Sequence, residues 1–174
     1  MSILFTFCTN SKKKLYDDFS KIHGKEIILP DSLKVFEKGI FKENFKDFFN
    51  RSKPSFIVKI DGDCFSCLEQ LYDWSEFVKE NSCIQYIFII CADNYINFKL
   101  YSELANFTYP VIYDRSNTYS NINRINSRTE VILLDSNQRV IVYGSPFINK
   151  KMHVGYKKHI LKLCNERITY TQKE

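Results

Sequence analysis

The chain has 174 residues, 44% hydrophobic and 16% aromatic, with 15 Phe and 11 Tyr; this excludes a disordered polymer and leaves room for one packed core. The formal charge is +5, with Lys and Arg interspersed among Asp and Glu, and the clusters Lys12–Lys14, Lys150–Lys151 and Lys157–Lys158 lack the interleaved aromatics of a nucleic-acid surface, so nucleic acid is not expected as a partner. No apolar run approaches the ~20 residues needed to span a membrane.

Taken in chain order, Lys12 to Ile22 forms a short amphipathic helix with Leu15, Phe19 and Ile22 on one side, ended by Gly24. Glu26–Leu29 is a short strand stopped by Pro30, and Leu33–Phe36 alternates as a second. Phe41–Arg51 is aromatic and charged, a loop with a helical turn, and Pro54 marks the entry to the main domain. Ser55–Ile60 is then a strand and Phe65–Asn81 a helix, turning Leu68, Leu71, Tyr72, Phe77 and Val78 inward. Gln85–Ala92 is nearly continuous apolar, as expected of a central strand buried on both faces. Asp93 or Asn94 caps the helix Tyr95–Ala105. Val111–Tyr113 is a short strand and Thr118–Arg124 a short helix. Glu130–Leu134 and Val140–Tyr143 are two strands joined by the turn formers Asp135-Ser-Asn-Gln138, a hairpin. Lys151–Cys164 closes the chain as a helix with Met152, Tyr156, Ile160 and Leu163 along one stripe.

The order β-α-β-α-β-α-β-β-α is that of an α/β sheet ending in an antiparallel hairpin and a helix. No glycine-rich phosphate loop follows any strand, so nucleotide binding lacks its cradle. The partition expected is 1–11 as a signal remnant or disordered N-terminus, 12–53 as an N-terminal extension, 54–166 as the main domain and 167–174 as a tail.

The chemistry lies at Cys64-Phe65-Ser66-Cys67, where a buried strand and the turn Asp61-Gly62-Asp63 lead into a helix. Free N–H groups at a helix start favour thiolate at the first cysteine, and two intervening residues let the second sulfur reach the first. Of the other four cysteines, Cys83, Cys91 and Cys164 fall in or beside apolar runs and are expected as inert core thiols. With one cysteine pair, and His23, His153 and His159 scattered, no metal and no cofactor are expected.

Strand–CxxC–helix, then Tyr109-Pro-Val-Ile-Tyr-Asp114, then Glu130 through Pro146 with its hairpin, resemble the thioredoxin-like thiol-disulfide oxidoreductases of secreted and lipid-anchored bacterial proteins, and Gly24–Pro30 resembles their N-terminal extension. The likeness spans residues 24–164. It implies a thioredoxin-like fold, a central mixed sheet flanked by helices, with Cys64 as nucleophile and Cys67 as resolving thiol. It implies protein thiols or disulfides and a redox partner as the molecules engaged. Asp63 stands where the family commonly has Trp, and Phe65-Ser66 where Gly-Pro is commoner; acidic neighbours raise a thiol pKa. The position facing the dithiol, usually a cis-proline, falls at or near Thr129, beside Arg128. No proline lies between Pro110 and Pro146, so that loop is expected trans or rearranged. Asp63, Phe65, Ser66, Arg128 and Thr129 thus line the expected site.

Two other readings remain open on the same residues. One is a thioredoxin-like binding module whose CxxC is structural or vestigial, with the aromatics Phe36, Phe41, Phe45, Phe48 and Phe49 either as a partner surface or packed beneath the extension. The other is a peroxiredoxin-like peroxidase using Thr129 and Arg128, although Asp61 stands where its threonine would be needed. Finally, Met1–Cys8 is apolar and ends in a cysteine followed by polar residues, resembling the tail of a bacterial lipoprotein signal. Phe7 replaces the small residue expected before the cysteine, and the apolar stretch is short. On this resemblance Cys8 is a lipidation candidate and the protein belongs to the cell envelope or periplasm, attached to a membrane through the lipid.

Overall fold

The structure, a computed structural model, describes residues 20–30, 33–37, 40–42, 49–50, 52–125 and 130–171, the side chains of 40–42 and 166–171 excepted. The elements are β1 (Lys34–Glu37), β2 (Ile40–Lys42), β3 (Ser55–Asp61), α1 (Phe65–Leu68), α2 (Leu71–Glu80), β4 (Gln85–Cys91), α3 (Tyr95–Leu104), β5 (Val111–Tyr113), α4 (Thr118–Asn123), β6 (Glu130–Leu134), β7 (Val140–Tyr143) and α5 (Lys150–Thr171).

The strands form one mixed sheet in the order β2-β1-β5-β4-β3-β6-β7. β3, β4 and β5 run parallel, while β6 pairs antiparallel with β3 and β7 with β6. β3 and β4 take the centre because they are apolar on both faces, and only a covered position removes both faces from water. On one face Phe56, Val58, Ile60, Phe88 and Ile90 meet Leu71, Trp74 and Phe77 of α2, Phe98 of α3, and Tyr156 and Ile160 of α5. Trp74 is fully buried, its ring 4.9 to 6.1 Å from those of Phe56, Phe77, Phe88 and Phe147. On the other face Ile57, Ile87, Ile89, Ile112 and Ile132 pack with Ile27, Leu29, Leu33 and Tyr119.

That second face carries charge. Lys59 and Glu130 sit opposite one another across the β3–β6 pair, and both are buried. Lys59 Nζ donates to Ser120 Oγ at 2.6 Å, and Tyr119 OH donates to Glu130 Oε1 at 3.1 Å. Buried Asp114 accepts from the N–H groups of Thr118 and Tyr119, at 2.8 Å each, and so holds the start of α4 in place of a side-chain cap from Asn117. The predicted hairpin forms with Asp135 Oδ1 accepting from Asn137 N and Arg139 N, and Gln138 at φ 61°.

Several expectations need correction. The strand expected at Glu26–Leu29 is a single bridge from Glu26 to Arg139. The Asn123 side chain takes both the N–H and the carbonyl of Ile28, so no ladder continues. The residues 40–42 form a strand rather than a loop, because β1 offers an edge to pair with. The helix expected over Phe65–Asn81 is interrupted at Glu69 and Gln70, and Tyr72 points to solvent while Trp74 fills the core instead. Cys83 and Cys164 are not inert thiols; they form a disulfide. The expected helix from Lys12 is described only from residue 20, where a helical turn leads into Gly24 at φ 74°; Lys12–Phe19 lies outside the described residues, as do the side chains of Phe41, Phe45 and Phe48. Phe36 and Phe49, which are described, pack against the two core clusters.

Candidate redox site

Cys64 and Cys67 are joined in a disulfide, with Cα atoms 5.2 Å apart. The pair sits at the carboxyl end of β3, at the edge of the sheet's helix-covered face. Cys64 has extended backbone dihedrals and caps α1, its carbonyl accepting from the N–H groups of Cys67 and Leu68 at 3.0 and 3.1 Å. Both cysteines are half-buried, but their surroundings differ. Cys67 packs against the main core, whereas Cys64 Sγ faces Ser66 Oγ at 3.4 Å and its neighbours Asp63, Phe65 and Ser66 are exposed.

Gly62 fixes the turn that delivers the dithiol. Its N–H donates to the Cys91 carbonyl at 2.7 Å, and a Cβ there would lie 2.8 Å from Ala92 Cβ and 2.9 Å from Ile90 Cγ2. Only glycine lets the two chain segments approach this closely.

Carboxylates gather around the turn. Asp63 donates its N–H to Asp61 Oδ1 at 3.0 Å, and Asp63 Oδ2 accepts from the N–H of Asp93 at 2.8 Å. Phe65 lays its ring against Tyr101 of α3, centroids 5.9 Å apart. Cys91 lies opposite Asp61 in the β3–β4 register, its thiol donating to Asn117 Oδ1 at 3.6 Å. Burial pushes this thiol up to about 12, with Asp114 and Asp61 acting in the same direction and Lys59 opposing, so near neutral pH Cys91 stays protonated and a poor nucleophile.

Of the expected site residues, the fold brings together Cys64, Cys67, Asp63, Phe65 and Ser66. Arg128, Thr129 and Cys8 lie outside the described residues. Sequence reasoning did not find Tyr101 beside Phe65 or Asp93 beside Asp63. Asp93, just ahead of the Asn94 that caps α3, and a mid-helix aromatic carry no signal of their own until β4 and α3 fold against the CxxC turn.

These features define a class: a thioredoxin-like fold whose CxxC disulfide opens the first core helix. No protein-family model matches the chain, and no curated protein matches it. Among solved structures, a Chlorobium tepidum protein assigned as thiol:disulfide interchange protein DsbE superposes with TM-score 0.63 at 12% identity, covering 82% of this chain and 97% of that one. The thioredoxin domain of a Bacteroides vulgatus thiol-disulfide oxidoreductase gives TM-score 0.62 at 10% identity, covering 79% and 97%. The pneumococcal exposed lipoprotein thioredoxin from Streptococcus pneumoniae gives 0.54 at 16%, covering 72% and 97%. At these identities the likeness is one of fold.

Proposed function

We propose that this protein is a thiol-disulfide oxidoreductase exchanging disulfides with other proteins through Cys64 and Cys67. The observation that carries the reading is the Cys64–Cys67 bond itself, placed where β3 meets α1, with Cys67 packed against the core and Cys64 flanked by exposed Asp63, Phe65 and Ser66. In the reducing direction, Cys64 thiolate attacks a substrate disulfide, forms a mixed disulfide and expels one substrate thiolate, which takes up a proton. Cys67 thiolate then attacks Cys64 Sγ and expels the second substrate thiolate. Two electrons have passed to the substrate, and a thiol-bearing redox partner restores the dithiol. The reverse sequence oxidises a substrate dithiol. Asp63, Phe65 and Ser66 border the site, and Arg128 and Thr129 are proposed to face it.

The test is a redox titration in graded dithiothreitol buffers with alkylation mapping, together with single serine variants. Interconversion at about −120 to −270 mV supports exchange. Cys64→Ser then abolishes turnover, and Cys67→Ser accumulates a mixed disulfide. A pair resistant to reduction below about −300 mV ends the reading. That result would favour the binding module with a structural CxxC, which has one feature behind it: the turn before Cys64 is acidic, with Asp61 and Asp63 hydrogen-bonded to each other, and acidic neighbours disfavour a thiolate.

We also place the protein in the cell envelope or periplasm, with residues 12–53 as an N-terminal helix and strand extension and Cys8 as the lipid attachment. The Cys83–Cys164 bond supports an oxidising compartment, and among the described residues no helix is long and apolar enough to cross a membrane. Mass spectrometry of the mature N-terminus checks the anchor: a chain retaining Met1 with unmodified Cys8 has none.

A further inference from the structure

We infer that the outward face of α3 is the docking surface for an amphipathic, basic helix of the substrate protein. This inference rests on the oxidoreductase reading and extends it to the class of substrate.

Ile96, Leu100 and Leu104 are 68%, 51% and 74% exposed. Their four-residue spacing places them in one row, about 12 Å long at 1.5 Å per residue. Single exposed aliphatic residues need no explanation, but a row at the helical repeat does. The opposite side of the same helix already meets the core, through buried Phe98 and half-buried Tyr95, Tyr101 and Ala105. The row therefore has no packing role within the described chain.

Two observations say what covers it. The first is continuity with the dithiol. Phe65, the residue after Cys64, is 58% exposed, and its ring rests on Tyr101. Tyr101 lies one helical turn from Leu104, so Phe65 and Tyr101 flank the row on the side of the dithiol. A substrate that presents a cysteine to Cys64 and extends past Phe65 meets α3.

The second is charge. Beside Cys64 the Asp61 carboxylate accepts from the Asp63 N–H and the Asp63 carboxylate from the Asp93 N–H, in a chain whose net charge is +5. Asp93 precedes the Asn94 cap of α3, so the acidic residues stand toward the Ile96 end of the row. Lys99 and Glu103 border the row with opposite signs and add no net charge. An occupant complementary to this surface carries cations around its cysteine and apolar residues beyond it. A row of residues four apart is the ridge that a second helix with the same spacing interdigitates with.

The experiment uses the whole protein and three forms of one probe, a peptide helix with leucines four residues apart and arginines beside a single cysteine. In the first form serine replaces the cysteine, so that binding to the oxidised protein is read without thiol chemistry. In the second the peptide is disulfide-linked for turnover. In the third glutamines replace the arginines. A small disulfide, 2-hydroxyethyl disulfide, is turned over in parallel. Leu100→Ser and Leu104→Ser are expected to weaken binding of the serine peptide about tenfold or more, and to lower the ratio of peptide turnover to small-disulfide turnover by a similar factor. Asp93→Asn is expected to weaken the arginine peptide more than the glutamine one, by a factor that shrinks as salt rises. Unchanged affinity in both leucine variants overturns the proposal, as does a homodimer that Leu104→Ser dissociates. Turnover of both disulfides with no dependence on the row removes the docking surface and leaves the oxidoreductase. Row-dependent binding with neither disulfide turned over removes the oxidoreductase reading and leaves the surface.

Discussion

Cys83, in the turn before β4, is bonded to Cys164 of α5, with Cα atoms 6.1 Å apart and a sequence separation of 81. The bond pins the closing helix to the entry of a central strand, and Lys157 of the same helix makes a 2.8 Å contact to Glu80 at the end of α2. Closing a loop of this length removes entropy from the unfolded chain worth about 4.5 kcal/mol. Cys83→Ser is therefore expected to lower stability by about 2–5 kcal/mol, with a fall in Tm of roughly 4–20 °C. Urea unfolding of Cys83→Ser beside a Cys64→Ser, Cys67→Ser double variant separates the two bonds. An equal loss in both proteins would show that the long loop carries no special weight.

Gly62→Ala places a methyl group 2.8 Å from Ala92 Cβ and 2.9 Å from Ile90 Cγ2. Both neighbours are buried, one on β4 and one just after it, so the turn rather than the strand must move. The expected cost is about 1–3 kcal/mol. The 2.7 Å hydrogen bond from Gly62 to Cys91 lengthens with it, and thiol exchange at Cys64 slows because the turn positions that sulfur. Rates of alkylation of the reduced dithiol, compared between the two proteins, check this; identical rates would mean that the turn relaxes without moving Cys64.

Alkali is expected to unfold the protein from about pH 10 upward. Burial raises the phenols of Tyr86, Tyr95, Tyr119 and Tyr156 above their ordinary value, with Glu130 adding to the effect at Tyr119. Below the unfolded value near 10, both states hold these protons and the stability is fully present. Above it the unfolded chain releases protons that the native state keeps, and stability falls as pH rises. The limiting slope for four such groups is about 5 kcal/mol per pH unit. Tyr119→Phe removes one of the four, so its urea midpoint should decline less steeply with pH; a parallel decline would place the alkaline loss elsewhere.

Lys59 lies opposite Glu130 in the β3–β6 register, and both are buried. Lys59→Met removes a buried cation from the face it shares with the Glu130 carboxylate, at an expected cost of about 3–5 kcal/mol. Lys59→Met with Glu130→Leu should cost less than the single change, because no lone charge remains. A double variant as unstable as the sum of its parts would show the two sites to be independent.

Much of this molecule could be read directly along its sequence. The alternation of apolar runs with amphipathic stretches placed β3, β4, β5, α3 and the β6–β7 hairpin within a residue or two, because period and turn chemistry are local properties. The CxxC stood out for the same reason, since its neighbours in sequence are also its neighbours in space. Pairing was decided elsewhere. Residues 40–42 became a strand only because β1 presented an edge. Glu26–Leu29 lost its ladder to the side chain of Asn123, almost a hundred positions away. Trp74 rather than Tyr72 turned inward once α1 broke from α2. Cys83 and Cys164 look like isolated apolar thiols in sequence, and only the packing of α5 across the sheet brings them together. Asp93 and Tyr101 join the redox site by the same route. The sequence by itself determined which segments are strands and helices and where the dithiol lies, since those depend on residues a few positions apart. The second disulfide, the contact of Asp93 with Asp63 and that of Tyr101 with Phe65 were decided by tertiary structure, because each depends on groups that burial of the core places together and that carry no pattern along the chain.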